Sequence, residues 1–411
     1  MLRSMYSGVS GLRAHQVKMD VIGNNIANVN TLSYKSSNIS FQEVLGQTMS
    51  RATQPTDRGL GGTNPSQIGL GVTVGSIGVN HAEGSIQTTD NPDDLAIDGS
   101  GYFVTNNGIR TSYTRAGNFT MDSAGNMVTS TGEKVMGWNS RGTSGIDYAR
   151  PIEPINLANI SMPSTVTNRI DLEGNFDINS EDFDYNMTVY DSLGEAHVIT
   201  FKFTNEGING DGNLEFSFEI EADNLDDIDN NTGTIEFDED GVFDSLNHIG
   251  NLELEFNNGS RQLNIDIRVP NEDRIAARAI NTSITGRQNG HEAGSLVGTG
   301  IDSNGNIIGN FSNGRDEVIA TIALANFINP AGLEKAGNNS YVTSFNSGEA
   351  QIGRPGTGDR GLVKANSLEM SNVDLAKEFT EMIVAQRGYQ ANSRVISTSD
   401  EMLTELVNIK R

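Results

Sequence analysis

Apolar residues recur with helical spacing at both ends of this chain. Leu2, Met5, Val9, Leu12, Gln16, Met19, Gly23 and Ile26 follow one another at intervals of three and four, the repeat that lines a narrow seam on one face of an α-helix. At the other end Leu375, Phe379, Met382, Gln386, Tyr389, Ser393, Ile396, Asp400, Leu403 and Val407 repeat the alternation, with Ser371 or Asn372 as the expected N-cap. At a rise of ~1.5 Å per residue the second helix is roughly 55 Å long and the first somewhat under 40 Å, so both project beyond an ordinary domain. Gln16, Gly23, Gln386, Ser393 and Asp400 stand where a self-sufficient coiled coil places Leu or Ile. Each helix therefore needs further neighbours. A helix pair that caps its own domain satisfies the same periodicity. A membrane-surface helix does not, because the Lys/Arg-rich face and the Trp or Phe anchors are missing.

Between the helices the period changes to two. "LEFSFEI" (214–220), "LELEF" (252–256) and "LNIDIRV" (263–269) alternate apolar and polar residues without a slip, as half-buried antiparallel strands do. "MDSAGN" (121–126), "YDSLGE" (190–195), "FDEDGV" (238–243) and "IDSNGN" (301–306) each place Asp and Gly between strand-like runs and read as hairpin turns. The expected fold is mainly β with terminal α-helices. The helices form a coiled-coil-like core, and nested antiparallel β domains project outward from it.

The Pro-containing stretch 149–170 and the break at 281–294 bracket a middle third that looks inserted into another domain. Residues 46–71 carry no period and are rich in Gly, Thr, Ser and Pro, the composition of an extended connector. The resulting division is a helical core (1–30 and 372–411), a connector (31–71 and 366–371), an inner β domain (72–150 and 291–365) and an outer β domain (151–290).

Charge sharpens this picture. Residues 151–290 hold 28 acidic and 7 basic side chains, so −21 of the formal −25 lies in the inserted third. Nucleic-acid binding is disfavoured, since phosphate contact needs a basic surface. No apolar run reaches the ~20 residues of a membrane span, and the first residues lack the apolar stretch of a cleavable signal. With no Cys in 411 residues, disulfides, zinc fingers and thiol catalysis are excluded together.

Candidate chemistry is sparse. The acidic residues of the middle third alternate along strands, as solvated faces do, which argues against paired catalytic carboxylates. His15, His81, His197, His248 and His291 fall in unrelated contexts, so no metal site is expected. "DSNGNIIGN" starts like a calcium loop at Asp302, Asn304 and Asn306, but Ile307 replaces the required Gly and Asn313 the required Glu. "GLGGTNPSQIGLG" lacks the Lys-Ser/Thr of a phosphate loop. No cofactor and no catalysis are expected. What stays unexplained is the pair of terminal helices and the cluster Asn24, Asn25, Asn28 and Asn30. These residues can cap a helix end and tolerate left-handed backbone, as a sharp exit into a strand requires.

"VIGNNIANVNTLSYK" (21–35), "GYFV" (101–104), "YTRAGNF" (113–119), "TVYDSLGEAHVITF" (188–201) and "SNVDLAKEFTEMIVAQRGYQANSRVISTSDEML" (371–403) resemble the bacterial flagellar axial proteins of the rod and hook group, most closely on the hook side. The likeness spans nearly the whole chain. It implies a structural subunit that self-assembles into a helical tube, a flexible universal joint passing torque from rod to filament. Leu2, Met5, Val9, Leu12, Met19, Ile26, Leu375, Phe379, Met382, Tyr389, Ile396, Leu403 and Val407 become the polymer-core interface, and the Asn cluster turns the chain outward. The implied partners are further copies of the chain, the distal rod, the hook cap, the hook–filament junction proteins and the flagellar type III export apparatus, with no nucleic acid and no membrane insertion. The implied location is extracellular, in the flagellar basal body and hook. The long 46–71 connector is similar to that of distal rod proteins, which leaves a rod or junction subunit as the alternative. A secreted carbohydrate-active enzyme or an adhesion module explains neither seam.

Overall fold

Two helices of unequal length lie antiparallel at one end of the molecule, α1 (Leu2–Ala27) and α2 (Leu375–Ile409). The computed structural model describes residues 2–54, 62–141, 145–210, 212–223, 225–248, 251–270 and 272–409. α2 begins at an Asp cap rather than the expected Ser371 or Asn372: Asp374 Oδ1 accepts the N–H groups of Ala376 (2.9 Å) and Lys377 (3.2 Å). Asn372 serves the loops instead. Its Oδ1 accepts from Ser36 N (2.8 Å), and its Nδ2 donates to the Asn80 and Ala82 carbonyls.

After α1 the chain runs out as a ribbon. Ser37–Glu43 pairs antiparallel with Val72–Val79, and further out Gln47–Ser50 pairs with Ser66–Ile68. The 31–71 stretch, expected as an extended connector, thus doubles back on itself; residues 55–61 lie outside the described residues. Val72–Val79, expected in the inner domain, belongs to this ribbon. Strands of three to eight residues with little alternation give sequence reading almost nothing to detect. The ribbon rests on α1, where Val72 N donates to Ser10 Oγ at 3.2 Å.

The inner domain joins both halves of the chain. Lys134–Asn139 pairs with Tyr102–Asn106 through its first residues and with Asp316–Ile322 through its last, both antiparallel. Leu95–Asp98 pairs with Leu362–Ala365, and Ile86–Thr88 with Ser367–Glu369. Phe103, Phe119, Val135, Ile155, Ile307 and Leu324 are fully buried between these strands. Chain segments that meet here are separated by the whole outer domain.

The outer domain is a sandwich. One sheet has five antiparallel strands in the order Asp182–Tyr190, Ala196–Ile208, Leu214–Ala222, Thr232–Phe237 and Phe243–His248, and between the third and fourth the chain crosses to the facing sheet as Leu225–Asp229. The facing sheet is centred on Arg169–Phe176, and the fully buried rings of Phe176, Phe201, Phe203, Phe216 and Phe237 lie in their shared core. Each such ring contributes ~1.5–3 kcal/mol by leaving water. The pairing is not wholly antiparallel. Arg169–Phe176 runs parallel to Leu263–Arg268 and to Ile275–Ala277, and antiparallel only to Ser283–Gln288. As a result the entering and leaving strands are neighbours, and reciprocal hydrogen bonds between Thr165 and His291 (2.9 Å each) close the neck.

All four Asp-Gly stretches are hairpin turns of one construction. Asp122, Asp191, Asp238 and Asp302 each accept, at Oδ1, the N–H groups two and four residues on, at 2.8–3.0 Å. The Gly that follows takes a φ of +70 to +84°, which a side chain would strain. The calcium-like stretch at Asp302 is one of these turns.

Candidate polymer interface and the junction beneath it

The two helices approach closely because small residues line their contact. A Cβ on Gly8 would stand 3.2 Å from Ile396 Cγ1, one on Gly11 2.7 Å from Asn392 Nδ2, and one on Gly388 2.5 Å from His15 Nε2. Ala14 and Ala385 are buried on the same line. Lys18 to Glu381 (3.2 Å) and Asn25 Nδ2 to Glu378 Oε1 (3.2 Å) continue it toward the inner domain. Burial raises the Glu378 carboxyl; the Asn25 hydrogen bond opposes this, while Glu381 adds to it. Burial lowers His15, and Lys18 adds to this.

The apolar stripe read from the sequence runs beside this line. Met5, Leu12, Met19 and Ile26 on α1, and Met382, Ile396 and Leu403 on α2, are half-buried. Val9, Leu375, Phe379, Tyr389 and Val407 are exposed, Phe379 at 50 % and Val407 at 68 %. The Leu2 side chain lies outside the described residues. On the other side of the contact line Val384, Val395, Met402, Leu406 and Ile409 are exposed as well. A 35-residue helix thus uses its small residues to meet α1 and leaves large apolar side chains in water on both flanks. Sequence reading favoured the large residues and missed the Gly line, whose signal was the spacing of Gly8, Gly11 and Ala14.

The Asn cluster divides its work. Asn25 is buried and central: Oδ1 accepts from Ser37 N (2.9 Å) and Tyr34 Oη (3.2 Å), while Nδ2 donates to Ser37 O (2.9 Å) as well as to Glu378. Asn28 Nδ2 donates to Asn24 O (2.9 Å) and Asn24 Oδ1 (3.0 Å), and Asn28 Oδ1 accepts from Thr31, which closes the last turn. Asn30 is exposed. The left-handed residue is Ser33 (φ +54°) rather than an Asn. Its N–H donates to Glu369 O (2.9 Å) and its hydroxyl to Arg115 O (2.8 Å), partners that hold the conformation.

Beneath the turn lies a buried ionic cluster that sequence reading missed. Lys35 Nζ donates to Glu369 Oε1 and to Ala82 O (2.8 Å). Arg115 reaches Glu369 Oε2 at 3.4 Å, donates to Gly99 O at 2.8 Å, and lies over the Tyr102 ring at 5.4 Å. Gly84 N donates to Glu369 Oε1 (2.9 Å). Burial lowers Lys35, and Glu369 opposes this. His81 Nδ1 pairs with Tyr102 Oη at 2.7 Å. Burial, with Lys35, Arg115 and Lys335 nearby, pushes His81 down to about 4, and burial pushes Tyr102 up to about 12. The only advance signal was a Lys at the end of the "NTLSYK" turn.

Among the described residues, one group brings three metal-type side chains together, Asp191, Glu195 and His197. Asn258 Nδ2 donates to Asp191 Oδ2 (2.6 Å) and Glu195 Oε2 (2.8 Å), and His197, stacked on Phe256 at 3.6 Å, lies 3.2 Å from Asp191 Oδ2. The carboxylates are satisfied by an amide, and the group ties the 190–195 turn to the 257–261 turn.

Long terminal helices with an unpaired apolar surface, joined to nested β domains, define an axial subunit of a helical polymer in architecture. Family models agree with this class. "Flagella basal body rod protein" matches residues 5–35, "Flagellar hook protein FlgE/F/G D1 domain" 96–181, "Flagellar basal body protein FlaE D2 domain" 159–347 and "Flagellar basal body rod FlgEFG protein C-terminal" 364–409. The chain is 36 % identical to the flagellar hook protein FlgE of Borreliella burgdorferi and 34 % identical to that of Treponema pallidum, with both chains covered fully in each case. It is 32 % identical to the flagellar basal-body rod protein FlgG of Bacillus subtilis, again over the full length of both. A solved structure of Helicobacter pylori flagellar hook protein FlgE2 shares the fold with a TM-score of 0.53 at 13 % identity, covering 69 % of this chain and all of that one. The chain belongs to the flagellar hook and rod protein family, FlgE/FlgG.

Proposed function

We propose that this protein is a structural subunit of the bacterial flagellar hook, polymerising into a helical tube that bends while passing torque from rod to filament, without catalysis. The observation that carries this reading is α2, which keeps Leu375, Phe379, Tyr389 and Val407 exposed although a buried contact line runs alongside them. A stripe of large apolar side chains left in water along a helix marks a surface that neighbouring subunits cover. In this reading residues 1–30 and 372–411 line the tube and the acidic residues 151–290 face outward. Further copies are the main partner; the distal rod, hook cap, junction proteins and type III export apparatus complete the set. The ribbon at 37–79 and the likeness to a FlgG rod protein favour a distal-rod subunit as the second reading. Electron microscopy of the purified protein after salting-out tests both. Curved tubes with an axial channel support the hook, straight rigid tubes the rod, and the absence of tubes in any salt overturns the polymer reading.

A further inference from the structure

Between α1 and the ribbon runs an apolar groove of about 530 Å³, walled by Tyr6, Val9, Arg13 and Val17 on the helix and by Leu70 and Val72 on the ribbon. Among the described residues that line it, Arg13 is the only charged one. The opposite side of α1 is already taken by α2, which meets Gly8 and Gly11. We infer that the groove receives the C-terminal half of α2 from a second copy of this chain, with Met402, Leu406 and Ile409 entering it. This rests on the polymer reading above and adds which two surfaces meet.

Three features select that occupant. Met402, Leu406 and Ile409 follow at spacings of four and three, so they form one stripe, and all three are exposed. Glu405 stands three residues after Met402 and four before Ile409, at the edge of that stripe, where it complements Arg13. The chain's own α2 cannot serve. Ile396 is the residue that faces Gly8, and Leu406 lies ten residues further along, ~15 Å down the axis and away from the groove. Groove and stripe are different surfaces of one chain, so their contact is head-to-tail and leaves a groove and a stripe free at the two ends for further copies, as a helical assembly requires.

The chain has no Cys, so introduced thiols report cleanly. Val9→Cys is combined in turn with Met402→Cys, Leu406→Cys and Ile409→Cys, and each double variant is assembled with salt, oxidised and run on a denaturing, non-reducing gel. At least one pairing should give a ladder of multimers from polymer and none from dilute monomer, while Val9→Cys alone gives no ladder. Polymer without a ladder in all three pairings overturns the inference and leaves the polymer reading standing; wild-type protein that never pellets defeats the polymer reading itself. If the thiol variants do not assemble, charge exchange decides. Arg13→Glu and Glu405→Arg should each lower the pelleted fraction at least tenfold, and the two together should restore it. A combination no better than either single change overturns the inference.

Discussion

Lys35 Nζ lies 2.5 Å from Glu369 Oε1, and this fully buried pair joins residues 334 positions apart in the chain. Lys35 follows the N-terminal helix and Glu369 precedes the C-terminal one. The pair therefore holds the root of the helix pair against the inner domain, where Arg115 supplies the second cation. The junction thus lies on a direct path between the helices and the β domains, beside the contact of the ribbon with α1.

Lys35→Met leaves Glu369 buried with only the more distant Arg115 as counter-charge. Breaking one side of a buried pair costs about 3–5 kcal/mol. The single Trp of the chain, Trp138, is buried in the inner domain, so its fluorescence during urea unfolding follows the affected part. The Trp transition should move to markedly lower urea. An unchanged midpoint would mean that the pair contributes nothing to the junction.

His81 makes the same junction acid-sensitive. Its folded pKa is about 4, against 6.5 in the unfolded chain. The folded state thus binds fewer protons between those values, and stability present above pH 6.5 is lost as pH falls toward 4. Full burial would make the loss ~3 kcal/mol; partial exposure reduces it to about 1–3. His81→Phe should flatten the Trp138 stability profile across this window. A profile equally steep in the variant would assign the acid sensitivity to other groups.

What the sequence made legible follows from how local each signal is. The four Asp-Gly hairpins and strands such as Leu214–Ala222 were readable because a turn needs only five residues and alternation only a few more. The parallel pairing of Arg169–Phe176 and the Lys35–Glu369 contact join distant segments, and no local pattern encodes them. The helices themselves were legible, but their line of contact was not, since Gly8, Gly11 and Gly388 act through the absence of a side chain. The Asn cluster lies at the end of α1, and the left-handed residue beyond it is Ser33, fixed by bonds to Glu369 and Arg115.

The outer domain should fold alone. Its core draws on residues 170–284, and the Thr165–His291 bonds close its neck. A fragment of residues 164–292 should be a monomer with a cooperative melt. Non-cooperative melting would show that it needs the inner domain.

The same domain should set the salt dependence of assembly. It lies within the stretch that holds −21 of the net charge, and the screening length falls from ~30 Å at 0.01 M to ~10 Å at 0.1 M salt. The pelleted fraction of the full chain should therefore rise over that range. A variant with residues 166–290 replaced by a short Gly-Ser link should assemble with little salt dependence. Assembly that weakens with added salt would contradict outward crowding of these charges.

The exposed stripe on α2 offers the most direct test of the polymer reading, and the degree of burial decides which residue to change. Leu403 is half-buried beside Ser399 on the line facing α1, so Leu403→Asp disturbs the chain's own helix pair as well as any neighbour. Phe379 is half exposed, and an Asp there remains hydrated in the free protein. Covered by a neighbouring subunit, Phe379→Asp forfeits ~2 kcal/mol of apolar burial and adds several kcal/mol if the carboxylate stays ionised out of water. The defect repeats at every subunit. Phe379→Asp should therefore abolish pelleting while the thermal melt of the soluble protein stays within a degree or two of wild type. Glu401→Ala, also exposed but not apolar, should pellet normally under high salt. If Phe379→Asp instead pellets like wild type, the stripe faces water in the assembly and the tube is held by other surfaces.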